Sequence, residues 1–305
     1  MKILITGGGG YIGYTLVKAL LRNNDISGIT IYDNFYRKQY GGFISGLYKD
    51  ERVKVVHGDI LDRPSLKKEI INAQVVVHLA AIQSAPFSTI DHHQFDQVNN
   101  WGTGQVVSAC SEANLEKFIY LSTAGVYGHC DTPACEDDEP NPNSFYCLSK
   151  LAGEKHVSTL DDVDNKYIFR LGTVYGLNPC MKMKGVIHKF LFEAAVTEKI
   201  SIDGDGRQKR PFIHVETVSN FIYSVIAGET NPSRIQNLFT EIISIGGVAK
   251  CLKTSLPTLE IIYVNQDHKF GNLLLGENDI TKTLLKSSAK DLNIDNFYSQ
   301  YFNNK

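Results

Sequence analysis

The first half of the chain alternates short apolar runs, rich in valine and isoleucine, with longer amphipathic stretches. This alternation predicts repeated strand–helix–strand units, and hence a parallel sheet covered by helices. Because the short runs do not alternate strictly with polar residues, we expect their strands to be buried on both faces. The predicted strands are 2–6, 28–33, 52–57, 74–79, 117–122 and 166–171. The predicted helices are 12–22, 65–72, 95–113 and 145–160.

The order of these elements predicts an α/β fold of the Rossmann type, a doubly wound parallel sheet, because right-handed crossovers place helices on both of its faces. Such sheets bind their ligands outside the carboxyl ends of the strands. The regular alternation fades after residue 175. We therefore predict a Rossmann domain over residues 1–175 and a smaller substrate-binding domain over residues 176–305, with residues 213–228 returning a strand and a helix to the first domain.

Composition narrows the class of protein. The 305 residues are 43% apolar and 21% charged, as in globular chains. The 31 basic and 33 acidic residues nearly cancel, which argues against nucleic acid or an anionic membrane as a partner. No apolar run reaches the ~18 residues of a membrane helix, and the apolar start is too short for a signal peptide, so we expect a cytoplasmic protein. The six cysteines are scattered without histidines at metal spacing, so we expect free thiols and no metal.

A glycine-rich run follows the first predicted strand and opens the first predicted helix. It fits G-x-G-x-x-G through Gly8, Gly10 and Gly13, and G-x-x-G-x-x-G if Gly7 replaces Gly8. Backbone amides at such a helix N-terminus face an anion, and glycine is needed where a side chain would block the pyrophosphate. Although the run alone could be a flexible turn, its context predicts a dinucleotide site.

Two aspartates at strand ends bear on the identity of the dinucleotide. Asp33 ends the second strand, 20 residues beyond Gly13, where a carboxylate can accept both ribose hydroxyls and repel a 2′-phosphate. This favours NAD over NADP, although Asp33 could be a turn residue and Arg37 could serve a phosphate. Asp59 follows the third strand and could either meet the adenine edge or cap the next turn.

Tyr146 and Lys150 are four residues apart and therefore share one face of a predicted helix. The ammonium lowers the cost of a phenolate, so the tyrosine can take a proton from a substrate hydroxyl while the carbon gives a hydride to a nicotinamide. Thr123, at the end of the fifth strand, can add a hydroxyl to the same oxygen. Y-x-x-x-K alone is a weak signal, but its position after this strand strengthens it.

With these motifs in place, the chain resembles the extended short-chain dehydrogenase/reductase family, which contains nucleotide-sugar epimerases, dehydratases and reductases. The matches stand in the family's order over residues 3 to about 228. Beyond the motifs above, they are Gly58-Asp59-Ile60, His78-Leu79-Ala80-Ala81, Asn99 with Gly102-Thr103, Val126-Tyr127-Gly128, Arg170 to Gly176, and Gly204-Asp205-Gly206 to Val215.

The resemblance implies tightly held NAD, a catalytic set of Thr123, Tyr146 and Lys150, and a nucleotide-diphosphosugar lying between the two domains. It implies these cofactor contacts: Gly7, Gly10, Tyr11, Ile12, Gly13, Asp33, Asn34, Asp59, Ile60, Leu79, Ala80, Ala81, Asn99, Ser122, Tyr146 and Lys150. It implies these substrate contacts: Ser84, Thr123, Tyr146, Thr173, Val186 and Arg210, the last at the nucleotide diphosphate. It also implies a homodimer formed by the helices at 95–113 and 145–160.

Departures from the family pattern bear on the reaction. Dehydratases and decarboxylases of the family carry an acid directly or shortly after the catalytic threonine, where this chain has Ala124 and Gly125. We therefore expect a nucleotide-sugar 4-epimerase like UDP-glucose 4-epimerase, with a 4-ketoreductase or a 4-dehydrogenase as the alternative. A non-catalytic NAD-binding regulator is the alternative of another class, against which the complete catalytic set argues. Thr173 and Asp203 replace a common asparagine and an aromatic residue, so GDP, CDP or dTDP carriers stay open beside UDP.

Overall fold

The predicted alternation of strands and helices is present in the structure, a computed structural model that describes residues 1–83, 92–181, 183, 185–267, 270–287 and 294–303. The strands are β1 (Lys2–Thr6), β2 (Gly28–Asp33), β3 (Val53–His57), β4 (Val75–His78), β5 (Lys117–Thr123), β6 (Cys130–Ala134), β7 (Asn165–Leu171), β8 (Thr173–Tyr175), β9 (Lys199–Asp203), β10 (Lys209–His214), β11 (Ile235–Leu238), β12 (Glu241–Ser244), β13 (Glu260–Val264) and β14 (Leu273–Leu275). The helices are α1 (Tyr11–Leu20), α2 (Gly41–Ile44), α3 (Arg63–Ile70), α4 (His92–Phe95), α5 (Thr103–Cys110), α6 (Phe145–Ser158), α7 (Val186–Thr197), α8 (Val215–Ala227), α9 (Ile245–Ser255), α10 (Asp279–Ser287) and α11 (Ile294–Asn303).

Within the described residues, seven parallel strands form one sheet in the order β11-β7-β5-β4-β1-β2-β3. This is the doubly wound Rossmann arrangement, so the predicted fold class is confirmed. The six predicted strands agree with the observed bounds to within one residue. The seventh, β11, was missed because Gln236 and Asn237 interrupt its apolar pattern.

The two faces of the sheet belong to two separate cores. Ile3 and Ile5 of β1 pack on one face in a cluster shared with α1 and α8. Leu4, between them in the chain, points to the other face and packs in a cluster shared with α3 and α5. Both faces of the sheet are thus apolar and covered by helices. The turns at the carboxyl ends of the strands are attached to this packed sheet, which positions them.

Residues 213–228 were expected to return a strand and a helix to the first domain. The helix α8 packs beside α1 on the large sheet, through Phe221 and Val225. The preceding strand, β10, pairs with β8 and β12 in a separate three-stranded sheet, while its Ile213 packs in the same core as α1 and α8. A third core, formed by α7, α9 and α11 with β9 and β10, lies in this second part of the chain.

The predicted helix at 95–113 is observed as an irregular element of the same length at 92–110. It starts as α4, continues as a π-helical segment at Asp96–Gly102, and ends as α5. Such a π segment commonly marks a functional position inside a helix, and here it contains the buried Asn99. Among the described helices, none is both long and apolar enough to span a membrane.

Candidate active site

The glycine-rich loop is tightly packed against the ends of neighbouring strands. Gly7 has φ +70°, and a Cβ there would lie 2.5 Å from the Ala80 nitrogen. A Cβ on Gly13 would lie 2.4 Å from the Gly8 oxygen. At Gly10 a Cβ would meet only two atoms within 4 Å, the Gly7 oxygen at 3.2 Å and Gln39 Oε1 at 4.0 Å. Glycine is therefore required at 7 and 13 by close contact, while Gly10 leaves a cradle that a side chain would enter.

The start of α1 offers amides to an anion at this cradle. Gly10 is the N-cap and makes no side-chain capping bond, and the first turn contains no acidic residue. The side chain of Tyr11 points elsewhere, because its hydroxyl donates to the Gly176 oxygen at 2.6 Å in a buried position. Ile12 packs against the core. These two predicted contacts can therefore involve only the backbone of Tyr11 and Ile12.

Asp33 lies beside the glycine loop at the end of β2. Its Oδ2 accepts a hydrogen bond from the Gly9 amide at 2.9 Å, and its Oδ1 accepts one from the Phe35 amide at 2.8 Å. Burial raises the pKa of Asp33, and these two amides oppose the shift. Asn34 Nδ2 donates to Asp59 Oδ2 at 2.9 Å, which joins the two predicted adenosine contacts. The cradle and the adjacent carboxylates fit the adenosine diphosphate half of NAD.

The end of β4 is fixed to β1 and α5 by a buried histidine. His78 Nδ1 lies 2.6 Å from Thr6 Oγ1, and its Nε2 lies 3.0 Å from Thr103 Oγ1. Burial lowers the pKa of His78 to about 3, so the ring is neutral. The half-buried residues Leu79, Ala80 and Ala81 follow, and they are predicted cofactor contacts. The backbone of Leu79 and Ala80 lies directly against Gly7 of the glycine loop.

Three predicted cofactor contacts have side chains that are used within the protein. The fully buried Asn99 accepts a hydrogen bond from the Ile82 amide at 2.8 Å and donates to the Ile82 oxygen at 2.9 Å and to Ser149 Oγ at 3.0 Å. Ser122 donates to the Glu154 carboxylate. Ile60 packs in the core. In this structure the side chains of Asn99 and Ser122 thus hold the loop after β4 and the end of β5 in place.

Thr123, Tyr146 and Lys150 come from the end of β5 and the first turns of α6. Thr123 Oγ1 accepts a hydrogen bond from the Gly125 amide at 3.1 Å. Lys150 is 3% exposed, and its Nζ lies 4.0 Å from the ring centroid of Tyr120. Burial lowers the pKa of Lys150 to about 7, although the charge of Glu154 opposes this. A lysine with such a pKa is about half protonated near neutral pH and can therefore both donate and accept a proton.

Tyr146 has a cation in its surroundings that its own helix does not supply. Burial raises the pKa of Tyr146 above its usual range, a nearby Cys147 adds to this, and the charge of Arg37 lowers it. From the sequence we expected Lys150 alone to supply the charge that stabilises the phenolate. In this structure the charge of Arg37, from the loop after β2, lowers the pKa of the phenol.

Besides Thr123 and Tyr146, the predicted substrate residues that the structure describes lie on β8, α7 and β10. Thr173 is on β8 opposite Phe212 of β10, and Val186 begins α7 and packs against the third core. Arg210 Nη1 donates to the oxygens of Gly271 at 2.7 Å and Lys209 at 2.8 Å. Burial lowers the pKa of Arg210. Ser84 lies outside the described residues.

A buried charged network beneath the catalytic residues was missed by the sequence argument. Glu154 and Arg170 are 4% and 3% exposed and form an ion pair of 2.8 Å. Arg170 also donates to the Tyr127 hydroxyl at 2.7 Å, and that hydroxyl donates to Asn237 Oδ1 at 3.0 Å. The sequence does contain a signal for this network, namely Arg170 within the apolar run of β7, because a buried charge requires a partner.

The sequence is similar to those of known proteins. Residues 3–238 match the NAD dependent epimerase/dehydratase family. A dTDP-D-glucose 4,6-dehydratase of Mus musculus is 31% identical over 251 residues, 78% of this chain and 68% of that protein. YtcB of Bacillus subtilis, described as an uncharacterised UDP-glucose epimerase, is 28% identical over 256 residues, 82% of this chain and 78% of that protein.

Among solved structures, a UDP-glucuronic acid 4-epimerase from Bacillus cereus in complex with UDP-glucuronic acid and NAD superimposes with a TM-score of 0.85. Its sequence is 26% identical, and the match covers 100% of this chain and 99% of the other. The similarity thus extends beyond the Rossmann sheet into the second part of the chain.

Proposed function

Because the chain belongs to the NAD-dependent epimerase/dehydratase family, we propose that it is a nucleotide-sugar 4-epimerase that acts by transient oxidation of the sugar at C4. Enzymes of this family use NAD, and this chain is an NAD-dependent enzyme. Its relatives include both epimerases and 4,6-dehydratases, so the choice between these reactions depends on the site itself.

One observation carries the choice of reaction. Elimination of water across C5 and C6 needs an acid and a base close to those carbons, in addition to the base at O4. After Thr123 this chain has Ala124, which is buried at 1% exposure, and Gly125, whose Cβ would lie 2.6 Å from Cys147 Sγ. The space for a carboxylate at Gly125 is thus filled by a thiol. Glu154, which touches the end of β5, is bound to Arg170 and Ser122.

The remaining groups support chemistry confined to one carbon and its hydroxyl. Bound NAD supplies a hydride acceptor that can also return the hydride. Tyr146 would take the proton of the 4-hydroxyl, and the charge of Arg37 favours its phenolate. Lys150, four residues on along the same helix, is the second proposed cation, and the Thr123 hydroxyl would share the proton. The 4-ketosugar would then turn within the site, so that reduction on its other face gives the epimer and Tyr146 returns the proton.

The sugar nucleotide would lie between the strand ends of the large sheet and the second part of the chain. Arg210 is the proposed contact to its diphosphate, with Thr173 and Val186 near the nucleotide, and Ser84 near the sugar. A planar guanidinium suits this role because it can bind phosphate oxygens with two parallel donors. The structural relative with UDP-glucuronic acid bound supports a UDP-sugar as the first candidate.

A substrate screen tests this proposal. Purified protein loaded with NAD is incubated with UDP-, GDP-, CDP- and dTDP-sugars, and products are identified by NMR while NADH is followed by absorbance. We expect one sugar nucleotide to give its 4-epimer without accumulation of NADH. A product with a 4-keto-6-deoxy sugar would identify a dehydratase, and stoichiometric NADH would identify a one-way 4-dehydrogenase. Bound NAD with no turnover of any sugar nucleotide would favour a regulator.

We also propose that the protein is a homodimer. Trp101, Phe145 and Leu148 are 61%, 52% and 48% exposed, and they lie on the π-helical segment and α6, which pack against each other. Large apolar side chains grouped on adjacent helices are typical of a covered surface. Light scattering should give a dimer at micromolar concentration, and Leu148→Glu should give a monomer. A wild-type monomer would contradict the proposal.

A further inference from the structure

The Arg37 side chain lies across the carboxyl end of β1. Arg37 follows β2 by four residues, and its Nη2 donates to the Ala81 oxygen, beyond the end of β4, at 3.4 Å. In the sheet, β1 lies between β2 and β4. A side chain that reaches from the end of β2 to the end of β4 therefore passes over the turn between them, which is the glycine loop at Gly7 to Gly13.

The guanidinium has capacity for an anion at this place. Asp33, on one side, already accepts amide hydrogen bonds on both oxygens, and Tyr146 lies on the other side. Burial lowers the pKa of Arg37, while Tyr146 and Asp33 raise it, yet an arginine stays charged at neutral pH. Its bond to Ala81 is long and uses a neutral acceptor. A half-buried cation with five donors is stabilised most by a charged partner.

We propose that Arg37 binds the diphosphate of NAD from the side opposite the start of α1. In a bound dinucleotide the diphosphate joins the adenosine half, which is expected at Asp33, to the nicotinamide half, which must lie at Tyr146 for hydride transfer. Arg37 lies between these two residues and over the glycine cradle. The amides of α1 would hold one face of the diphosphate, and the fork of Arg37 would hold the other.

The segment that carries Arg37 is anchored on both sides of the cleft. Gln39 Nε2 donates to the Cys180 oxygen at 2.7 Å, and the Tyr48 hydroxyl donates to the Gly8 oxygen at 3.3 Å. Phe35 and Lys38, on either side of Arg37, have φ values of 50° and 53°. Such left-handed backbone costs free energy for residues other than glycine and is kept where surrounding contacts impose it. The cation is thus held in place before the cofactor arrives.

The experiment measures binding of nucleotides by calorimetry to protein freed of bound cofactor, with Arg37→Gln compared to wild type. We expect NAD and ADP, which contain a diphosphate, to bind at least tenfold more weakly, AMP to lose less, and adenosine to bind as before. Lys38→Gln is the matched control, because it removes the same charge from the exposed neighbouring residue, and it should bind every ligand as wild type does. Arg37→Lys should recover part of the loss.

Three results would overturn the proposal. NAD affinity within twofold of wild type in Arg37→Gln would show that the side chain does not bind the diphosphate. An equal loss for adenosine would show that Arg37 acts through the adenosine pocket or the loop. Weaker binding of a UDP-sugar with unchanged NAD would assign Arg37 to the substrate. If Arg37→Gln unfolds, the same ligands are compared in Arg37→Lys, where unchanged NAD and ADP affinities would equally contradict the proposal. None of these readouts depends on turnover, so the 4-epimerase proposal can fail separately.

Discussion

The two walls of the proposed active-site cleft, one for the cofactor and one for the substrate, are built differently. The cofactor wall consists of turns that directly follow strands of one rigid sheet, and its contacts depend on short motifs such as the glycine loop and Asp33. The substrate wall is assembled from β8, β10, α7 and the loop at Gly271, which are far apart in the chain. Arg210, its proposed anion contact, is held by two carbonyls of different segments.

The cofactor wall would thus determine the reaction, and the substrate wall would determine which sugar nucleotide is bound. Under the proposed function, the hydride and the proton would move at positions set by β5, α6 and the glycine loop. The choice of sugar and base depends on segments whose relative positions are set by tertiary packing, where Thr173 and Asp203 depart from the common pattern. Changes on the cofactor wall should therefore affect turnover or NAD, and changes on the substrate wall should affect the sugar nucleotide alone.

The largest expected effect comes from removing the proton-transfer group. Tyr146→Phe should lower turnover by about 10² to 10⁴-fold, because only the phenolic hydroxyl is lost. NAD content and thermal stability should stay close to wild type. Tyr40→Phe, which removes the same atom from an exposed side chain, serves as the control. More than half of wild-type activity in Tyr146→Phe would refute the catalytic assignment.

The substrate wall is tested by Arg210→Ala. Loss of a charge-assisted contact should weaken the sugar nucleotide by about 2 kcal/mol, or roughly 30-fold, with NAD affinity unchanged. Arg207→Ala, in the same segment, is the control, because its side chain is 90% exposed and should contribute little. If Arg210→Ala also loses NAD, or binds the sugar nucleotide normally, then the diphosphate of the substrate lies elsewhere.

The adenosine end of the cofactor wall is tested by the choice between NAD and NADP. A 2′-phosphate would meet the partly buried Asp33 carboxylate, so NADP should bind at least about tenfold more weakly than NAD, a difference of about 1.4 kcal/mol. Calorimetry on cofactor-free protein measures both affinities. Equal affinities would mean that Asp33 does not face the ribose, and that Arg37 reaches the 2′-phosphate instead of the diphosphate.

The smallest effect concerns the pH dependence of stability without cofactor. An unfolded lysine has a pKa near ~10.4, and that of folded Lys150 is about 7. Above pH ~7 the unfolded chain therefore binds more protons, and the free energy of unfolding should rise with pH, by about 1 kcal/mol between pH ~7 and pH ~8. Lys150→Met should remove this rise in urea unfolding curves. The same slope in both proteins would mean that Lys150 is charged in the folded state throughout this range.

The sequence was sufficient for features with a local cause. The glycine loop, the Tyr146–Lys150 spacing and six of the seven strands of the large sheet follow from short-range patterns and were found, while β11 and the short strands of the smaller sheets were not. Features created by distant contacts were not. Nothing in the sequence near Asn99 shows that its amide is used by Ile82 and Ser149. Likewise, the position of Arg37 depends on the contacts of Gln39 with Cys180 and of Tyr48 with Gly8, which are distant in the sequence.

The central claim, reversible oxidation at one carbon, is tested most directly by following the hydrogen on C4 of the sugar. A sugar nucleotide that the enzyme accepts, labelled with deuterium at C4, is converted and its product is examined by ²H and ¹H NMR. Because the same hydride leaves and returns to C4, the account predicts that the epimer keeps its deuterium at C4. A 4,6-dehydratase oxidises C4 and reduces C6, so deuterium at C6 of a 4-keto-6-deoxy product would contradict the account.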